Sequence, residues 1–357
     1  MNSRILSVLA VLSPCVVAMA QTATVQLVPS QDNTLYEDAA GLISNGQGQY
    51  LFVGLTSTGV IRRSLLAFDV VSAVPAHSRI VDVQLAMTVR QSNAVGPDGA
   101  TLHRVTTAWG EGASMGTGNE GSGGVAAPGD ATWTHAVLPT TPWTTLGGDY
   151  VAAVSSSTAL PVVGGFSFEK TERMLADVQD WLDGQPNNGW LIRTDELANG
   201  TARRIDSRNN TTATAMLPTL TVTYLPPGNI QSFGTGCSTS GNMNLFQSVT
   251  GPVAQGNTPV LTVQSGVPLG LFVTLLSFDV RPEPLEPAAG CFWWLRDIPY
   301  PNLGIKVQDN LGNYAEPFSI PQNPALFGIP LALQSVLVDW AHPRQWALSN
   351  ADLICIN

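Results

Sequence analysis

The feature that most constrains the fold is a series of short segments in which apolar and polar residues alternate. Residues 80–90 alternate from Val81 to Val89, and residues 22–28 show the same pattern over a shorter length. Alternation with a period of two places successive side chains on opposite faces of a β-strand. Glycine and proline, 34 and 25 residues, separate these segments as turn formers do. The pattern predicts an all-β protein.

One segment departs from this pattern and predicts a helix. Residues 169–182 carry apolar side chains at helical spacing, and Gly184 and Pro186 follow as terminators. The other segments of the first half, at 50–55, 63–71, 101–105 and 189–193, predict strands, whereas 110–130 and 194–214 predict loops. This half therefore predicts a β-sandwich with one helix closing its open end.

The run Pro226-Pro227-Gly228 predicts a domain boundary, because two prolines and a glycine interrupt any strand ladder. We expect one domain at residues 21–226 and a second at 227–357. Strand-like segments at 259–264, 270–278, 303–307 and 331–339 predict that the second domain is a smaller antiparallel β-sandwich.

The first 20 residues have the pattern of a signal peptide. Arg4 precedes an apolar stretch at 5–17, and Ala18-Met19-Ala20 is a typical cleavage site, so the mature chain is expected to begin at Gln21. The apolar stretch is too short for a membrane anchor, and no other run of about 18 apolar residues occurs. We expect a protein that is secreted, extracellular or on the cell surface, without membrane insertion.

The charge balance argues against nucleic acid as a partner. The chain has 16 Lys and Arg against 26 Asp and Glu, a formal net charge of −10, and no basic patch. Three cysteines of the expected mature chain, Cys237, Cys291 and Cys355, allow one disulfide in an oxidising compartment. Spacing alone does not decide which two are paired.

Short motifs in residues 21–226 follow one another in an order that resembles the DNRLRE-type module, a secreted family grouped with carbohydrate-binding modules. They are Asp32-Asn33-Thr34, Asn45-Gly46, Leu51-Phe52-Val53-Gly54, Arg63-Ser64-Leu65-Leu66-Ala67-Phe68-Asp69, Leu102-His103-Arg104-Val105-Thr106, Trp109-Gly110-Glu111-Gly112, Asp130-Ala131-Thr132-Trp133, Trp143, Gly147-Gly148-Asp149-Tyr150, Trp181-Leu182-Asp183-Gly184, Asn188-Gly189-Trp190-Leu191-Ile192 and Pro218-Thr219-Leu220-Thr221-Val222-Thr223-Tyr224. The resemblance implies a jelly-roll sandwich that binds acidic or neutral polysaccharides. One departure is Ser207-Arg208, where the family often has Ser-Glu.

The second half resembles a secreted bacterial β-sandwich module of unknown function, through Phe233-Gly234-Thr235-Gly236-Cys237 and Gly290-Cys291 among other pieces. The shared cysteine positions imply a disulfide between Cys237 and Cys291.

Three tryptophans are candidate sugar-binding platforms. Trp109, Trp133 and Trp143 flank the glycine-rich loop predicted at residues 110–130 and lie outside clear strand patterns. A flat indole ring can stack on the apolar face of a pyranose. The alternative is that these rings anchor loops or fill the core.

Charged residues near the same loop supply two further hypotheses. Arg63 and Arg104 are candidate partners for uronate carboxylates, the alternative being solvated or ion-paired arginines; the adjacent pairs Arg62-Arg63 and Arg203-Arg204 each turn one member outward. A structural Ca²⁺ ion held by the carboxylates of Glu111, Asp130 and Asp149 is the second hypothesis, against loop capping by the same side chains.

No catalytic arrangement emerges from the sequence. The G-x-S-x-G match at 112–116 lies in a loop without the strand and helix that a nucleophile elbow requires, and the four histidines have no metal-ligand spacing. We expect a secreted, non-catalytic polysaccharide-binding protein for acidic, uronate-containing glycans. The alternative is a structural or adhesive extracellular protein with no glycan ligand.

Overall fold

The computed structural model describes residues 22–212, 214–296 and 301–357. The expected signal peptide and Gln21 lie outside these residues. The described residues form 25 strands, two α-helices and two 3₁₀ turns at Thr214–Met216 and Pro324–Leu326, and every sheet is antiparallel. The prediction of an all-β sandwich protein is confirmed.

The N-terminal half, residues 22–225, contains the first fifteen strands and both helices. They are β1 (Ala23–Leu27), β2 (Gln31–Tyr36), β3 (Ile43–Ser44), β4 (Tyr50–Leu55), β5 (Ile61–Ala67), α1 (Val70–Ala73), β6 (Arg79–Ser92), β7 (Asp98–Arg104), β8 (Gly124–Val125), β9 (His135–Val137), β10 (Thr141–Pro142), β11 (Ser156–Leu160), β12 (Gly164–Phe168), α2 (Glu172–Leu182), β13 (Trp190–Thr194), β14 (Arg203–Asp206) and β15 (Thr219–Leu225).

Strand β4 connects two layers of one curled sheet. The order is β1-β15-β6-β14-β4-β5-β13-β7-β11, with β12 beside β6 and β2 beside β5. Strand β4 pairs with β14 along four residues but meets β5 only at Gly54 and Leu55. The sheet can therefore fold over at this strand and enclose a core between its two parts.

The main core of this half follows from the alternation in the sequence. Leu51 and Val53 of β4 and the run Val83, Leu85, Met87 and Val89 of β6 all point inward and are buried. Helix α2 adds its apolar side chains to the same core, including a fully buried Trp181.

Two segments differ from the sequence-based expectation. The strand expected at 63–71 ends at Ala67, because Asp69 accepts a hydrogen bond from the Ser72 amide at 3.2 Å and begins helix α1. The expected loop at 194–214 contains β14, an internal strand whose Arg203 is fully buried. A short Arg-Arg-Ile-Asp strand has no apolar alternation to reveal it.

The C-terminal half, residues 230–357, contains the other ten strands. They are β16 (Ile230–Phe233), β17 (Phe246–Thr250), β18 (Val260–Gln264), β19 (Leu271–Ser277), β20 (Val280–Ala288), β21 (Cys291–Leu295), β22 (Asn302–Val307), β23 (Asn313–Pro317), β24 (Pro330–Val338) and β25 (Trp346–Cys355). A five-stranded sheet, β16-β25-β24-β19-β22, packs on a three-stranded sheet, β17-β18-β23, and β20 and β21 form a separate hairpin.

The implied disulfide between Cys237 and Cys291 is present, and Cys355 is buried without one. The Cys355 thiol donates to the carbonyl of His77 at 3.3 Å and so links the last strand to the N-terminal half. Within the described residues, no helix is long and apolar enough to cross a membrane.

The two halves keep separate sheets but share a contact surface. In the described part of the chain, no strand of residues 22–225 pairs with a strand of residues 230–357. Leu225 packs with Leu353 and Cys355 in a small apolar cluster, and Arg79 forms an ion pair with Asp279 of the other half.

A buried carboxyl group in the C-terminal half depends on neutral partners alone. Asp352 is fully buried, accepts a hydrogen bond from the Ser232 hydroxyl, and accepts another from Gln247 Nε2 at 3.2 Å. Burial raises the pKa of Asp352 to about 6, although these two hydrogen bonds act in the opposite direction.

Replacing Asp352 with Asn should therefore flatten the pH dependence of stability. The raised pKa means that the protonated acid favours the folded state. Its contribution is complete below the unfolded-state pKa, near 3.8, and is lost as the pH rises through about 6. The loss amounts to about 3 kcal/mol. Urea unfolding of wild type and Asp352→Asn at pH 4 and pH 7.5 measures it, and equal pH slopes for the two proteins would contradict the assignment.

Candidate functional site

The three tryptophans expected to bind sugar are buried. Trp109, Trp133 and Trp143 are only 6%, 6% and 5% exposed. The indole Nε1 groups of Trp109 and Trp143 donate at 2.8 Å to the carbonyls of Asn188 and Thr132. The prediction of exposed stacking platforms at these residues is wrong. The rings anchor the loops to the outer face of strands β2, β5 and β13, in a second apolar cluster of the N-terminal half.

The two arginines expected to meet a uronate already have carboxylate partners. Arg63 forms a two-pronged ion pair with Glu196 at 2.8 and 2.9 Å. Arg104 contacts Asp180 at 2.5 Å and Asp177 at 3.7 Å. Both arginines therefore have carboxylate partners within the protein, which is the ion-paired alternative that the sequence left open.

The three expected calcium ligands serve separate structural roles. Asp130 accepts the amides of Ala127 at 2.7 Å and Ser114 at 3.3 Å, and thereby holds the glycine-rich loop. Among residues 22–212, 214–296 and 301–357, no group of three or more His, Cys, Asp or Glu side chains is arranged to hold a metal ion. Glu111, Asp130 and Asp149 therefore do not form one ligand set.

Asp149 is engaged by its own loop. It accepts the amides of Thr144 and Thr145 at 2.9 and 2.8 Å and the Thr107 hydroxyl at 3.1 Å. Burial by itself would raise the pKa of Asp149, but these hydrogen bonds outweigh it and hold the pKa below its usual value. This is the loop capping that the sequence left open as the alternative.

Glu111 belongs to a charged group that braces the glycine-rich loop. Both of its carboxylate oxygens accept hydrogen bonds from Arg208 at 2.6 Å, and one also accepts the Asp32 amide at 2.9 Å. Asp32 is fully buried, and burial raises its pKa to about 7; the Arg208 backbone amide opposes that shift and the nearby Glu111 charge adds to it. Arg208 thus makes a structural ion pair with Glu111.

A small pocket lies at the corner where β4, β5, β6 and β14 meet. We call it the arginine pocket; it has a volume of about 230 Å³ and is lined by side chains that include Phe52, Arg62, Gln91, Asn93, Asn119 and Arg204. Strand register brings several of these together, since Arg204 lies directly between Phe52 of β4 and Gln91 of β6.

Three arginines, Arg62, Arg203 and Arg204, line this pocket, and tyrosine rings hold the guanidinium groups of Arg62 and Arg204. Arg62 lies over the Tyr36 ring with its Cζ atom 4.6 Å from the centroid, and Arg204 lies over the Tyr50 ring at 4.1 Å. Arg62 is 8% exposed and donates to the Ile61 carbonyl at 2.9 Å. Cation–π stacking fixes the position of an arginine without neutralising its charge.

Neither guanidinium group has an anionic partner. Throughout the part of the chain that the structure describes, no carboxylate lies within 4.0 Å of Arg62 or Arg204. The Nε atom of each is buried without a hydrogen-bond partner. Burial lowers the pKa of Arg62, while Tyr36 and Glu37 act in the opposite direction, and an arginine side chain stays charged.

The pocket thus combines the groups that recognise a negatively charged polar molecule. Two guanidinium groups can bind a carboxylate, and the amides of Gln91, Asn93 and Asn119 can both donate to and accept from hydroxyl groups. Phe52 supplies an apolar surface. The sequence did contain the signal, since the pair Arg62-Arg63 presents Arg62 to the pocket and both members of Arg203-Arg204 line it. Residues 63–71 are apolar on both faces, however, so the pattern could not decide which member.

Searches against protein-family models and curated proteins find no match for this chain.

Replacing Trp143 with Ala should lower the free energy of unfolding of the N-terminal half, because the indole ring is buried and anchors a loop. Loss of a buried tryptophan typically costs about 3–5 kcal/mol. Urea unfolding followed by circular dichroism measures the effect, and Trp143→Phe, which retains most of the apolar contact, is the matched control. Unchanged stability of the Ala variant would contradict an anchoring role.

Proposed function

We propose that this chain is a secreted, non-catalytic protein that binds a uronate-containing polysaccharide through the arginine pocket. One observation carries the proposal: Arg62, Arg203 and Arg204 line one small concave site, and none of them has a carboxylate within 4.0 Å among the described residues. Arg203 is held by backbone carbonyls, whereas the Nε atoms of Arg62 and Arg204 have no hydrogen-bond partner. Seven other arginines, at positions 63, 79, 90, 104, 193, 208 and 296, form ion pairs within the protein. Of the six arginines in the described ranges that form no such ion pair, Arg62, Arg203 and Arg204 line this one pocket.

Electrostatics supports an anionic ligand at this place. Two partly buried cations in one pocket repel each other and lose hydration, and a carboxylate between them would relieve both costs. A planar guanidinium group matches a carboxylate with two parallel hydrogen bonds. The amides beside it suit the hydroxyl groups of the same sugar unit.

The overall charge restricts which acidic glycan is favoured. A net charge of −10 repels a densely charged polyanion at long range, whereas the pocket attracts a single carboxylate at short range. We therefore expect a polysaccharide with isolated uronate units, such as partly methyl-esterified pectin, to bind more strongly than fully charged pectate. Export is supported by the leader-like first 20 residues, and the Cys237–Cys291 disulfide is compatible with an oxidising compartment.

A structural or adhesive role without a glycan ligand is the second candidate. Leu271, Ile305 and Val307 of neighbouring strands β19 and β22 are 44%, 77% and 52% exposed on the outer face of the C-terminal sheet. Clustered exposed aliphatic side chains are typical of contact surfaces between proteins.

Affinity gel electrophoresis tests the proposal. We expect retardation of the wild type in gels containing partly esterified pectin, weaker retardation at higher salt, and none in gels containing a neutral cellulose derivative. Arg62→Ala or Arg204→Ala should weaken binding by about ten- to a hundredfold, since a hydrogen bond to a charged group contributes about 1.5–3 kcal/mol.

Arg193→Ala is the matched control, because its guanidinium group is already paired with Glu196 at 2.7 Å. This variant should keep the wild-type retardation. Wild-type mobility that is unchanged in pectin, pectate, alginate and cellulose gels would contradict glycan binding and favour the structural or adhesive role.

A further inference from the structure

A second concave site lies between the two halves of the chain, beside helix α2. Two adjoining cavities of about 410 and 380 Å³ share Ala176, Asp180 and Arg296 in their lining. We call them together the α2 groove. The N-terminal half contributes the helix and the start of β6, and the C-terminal half contributes Phe233 and residues of the β20–β21 hairpin.

The α2 groove concentrates positive charge in an acidic protein. Six of the sixteen Lys and Arg residues of the chain line it, and they face five carboxylates, so the lining is slightly positive where the whole chain is strongly negative. The six are Arg79, Arg104, Lys170, Arg173, Arg281 and Arg296.

The carboxylates do not neutralise every cation. A single carboxylate, that of Asp279, forms ion pairs with both Arg79 and Arg296. Lys170, Arg173 and Arg281 have no carboxylate within 4.0 Å among residues 22–212, 214–296 and 301–357.

Arg281 is held instead by backbone carbonyls. Its Nε donates to the Leu295 carbonyl at 3.0 Å, and its Nη2 lies 3.4 Å from the Arg296 carbonyl. These bonds fix the guanidinium group at the groove without removing its charge.

Two aromatic rings line the same cavity. Trp294 and Phe233 lie 5.7 Å apart between ring centroids and are tilted by 43°. Gly234 has a φ of +67°, and a Cβ atom there would lie 2.7 Å from the Trp294 ring. A glycine is therefore needed for this ring to take its place. The main-chain amide of Trp294 donates to Gln334 at 3.0 Å and fixes the strand that carries it.

We propose that the α2 groove is a second binding site for uronate-containing oligosaccharides, built jointly by the two halves. An aromatic ring offers a surface to the apolar face of a sugar, and the unpaired cations offer partners to its carboxylates. This inference rests on the proposed function and extends it from one site to two. Two sites on one chain raise the avidity for a long polysaccharide that can reach both.

Isothermal titration calorimetry of the mature chain with a partly methyl-esterified galacturonate hexasaccharide tests the second site. We expect two binding sites per wild-type chain. Lys170→Ala combined with Arg173→Ala should weaken the groove site at least tenfold and leave one site at unchanged affinity. Neither side chain makes an ion pair in the described structure, so this double variant should fold normally. Arg281→Ala is a second groove variant with the same expectation.

Arg344→Ala is the matched control for Arg281→Ala, because its guanidinium group also donates to a backbone carbonyl, that of Ser238 at 2.8 Å, but lies outside the groove. It should bind as the wild type does.

The pocket variants distinguish the two proposals. Arg62→Ala combined with Arg204→Ala should leave only the groove site. A single wild-type site that disappears in this double variant, with no effect of the groove variants, would overturn the groove proposal and leave the proposed function intact. Binding that survives the pocket variant in full but is lost in the groove variants would overturn the arginine pocket as the site. Absence of heat with the wild type would overturn both.

Discussion

The constraint on which the N-terminal half depends is the alternation of side chains between the two faces of strand β4. Leu51 and Val53 enter the core, so Tyr50 and Phe52 must face outward. The same strand joins the two parts of the curled sheet, and the turn of the sheet at Gly54 brings β5 beside it. One strand therefore supplies side chains to the core from one face and to the arginine pocket from the other. A shift of register by one residue would exchange the core side chains for the pocket side chains.

Much of the fold was predictable because it follows from local periodicity, but the site was not. The alternation at residues 80–90 predicted strand β6, and the apolar side chains at helical spacing in residues 169–182 predicted helix α2. Both predicted ranges end within a few residues of the observed bounds. Strand β14 gave no such signal, since its residues are polar and its burial comes from neighbours distant in the chain. Cys237 and Cys291 were paired by resemblance to another module and not by spacing.

The binding roles predicted for the candidate residues depended on which partner each side chain contacts in the folded protein, and the sequence alone does not reveal that partner. Trp109 and Trp143 find backbone carbonyls and an apolar cluster, and Arg63 finds Glu196, a residue 133 positions away. Arg62, the immediate neighbour of Arg63, finds a tyrosine ring instead. Adjacent residues of one strand thus have opposite electrostatic roles, and only the long-range pairing of strands separates a neutralised arginine from an available one.

The position of the disulfide has a consequence for the aromatic side of the α2 groove, formed by Trp294 and Phe233. Cys291 is the first residue of the strand that carries Trp294, and Cys237 lies just beyond the strand that ends at Phe233. The disulfide therefore joins covalently the two chain segments that carry Trp294 and Phe233. A chain kept in a reducing cytosol would lack this disulfide, so the two segments would not be covalently joined there.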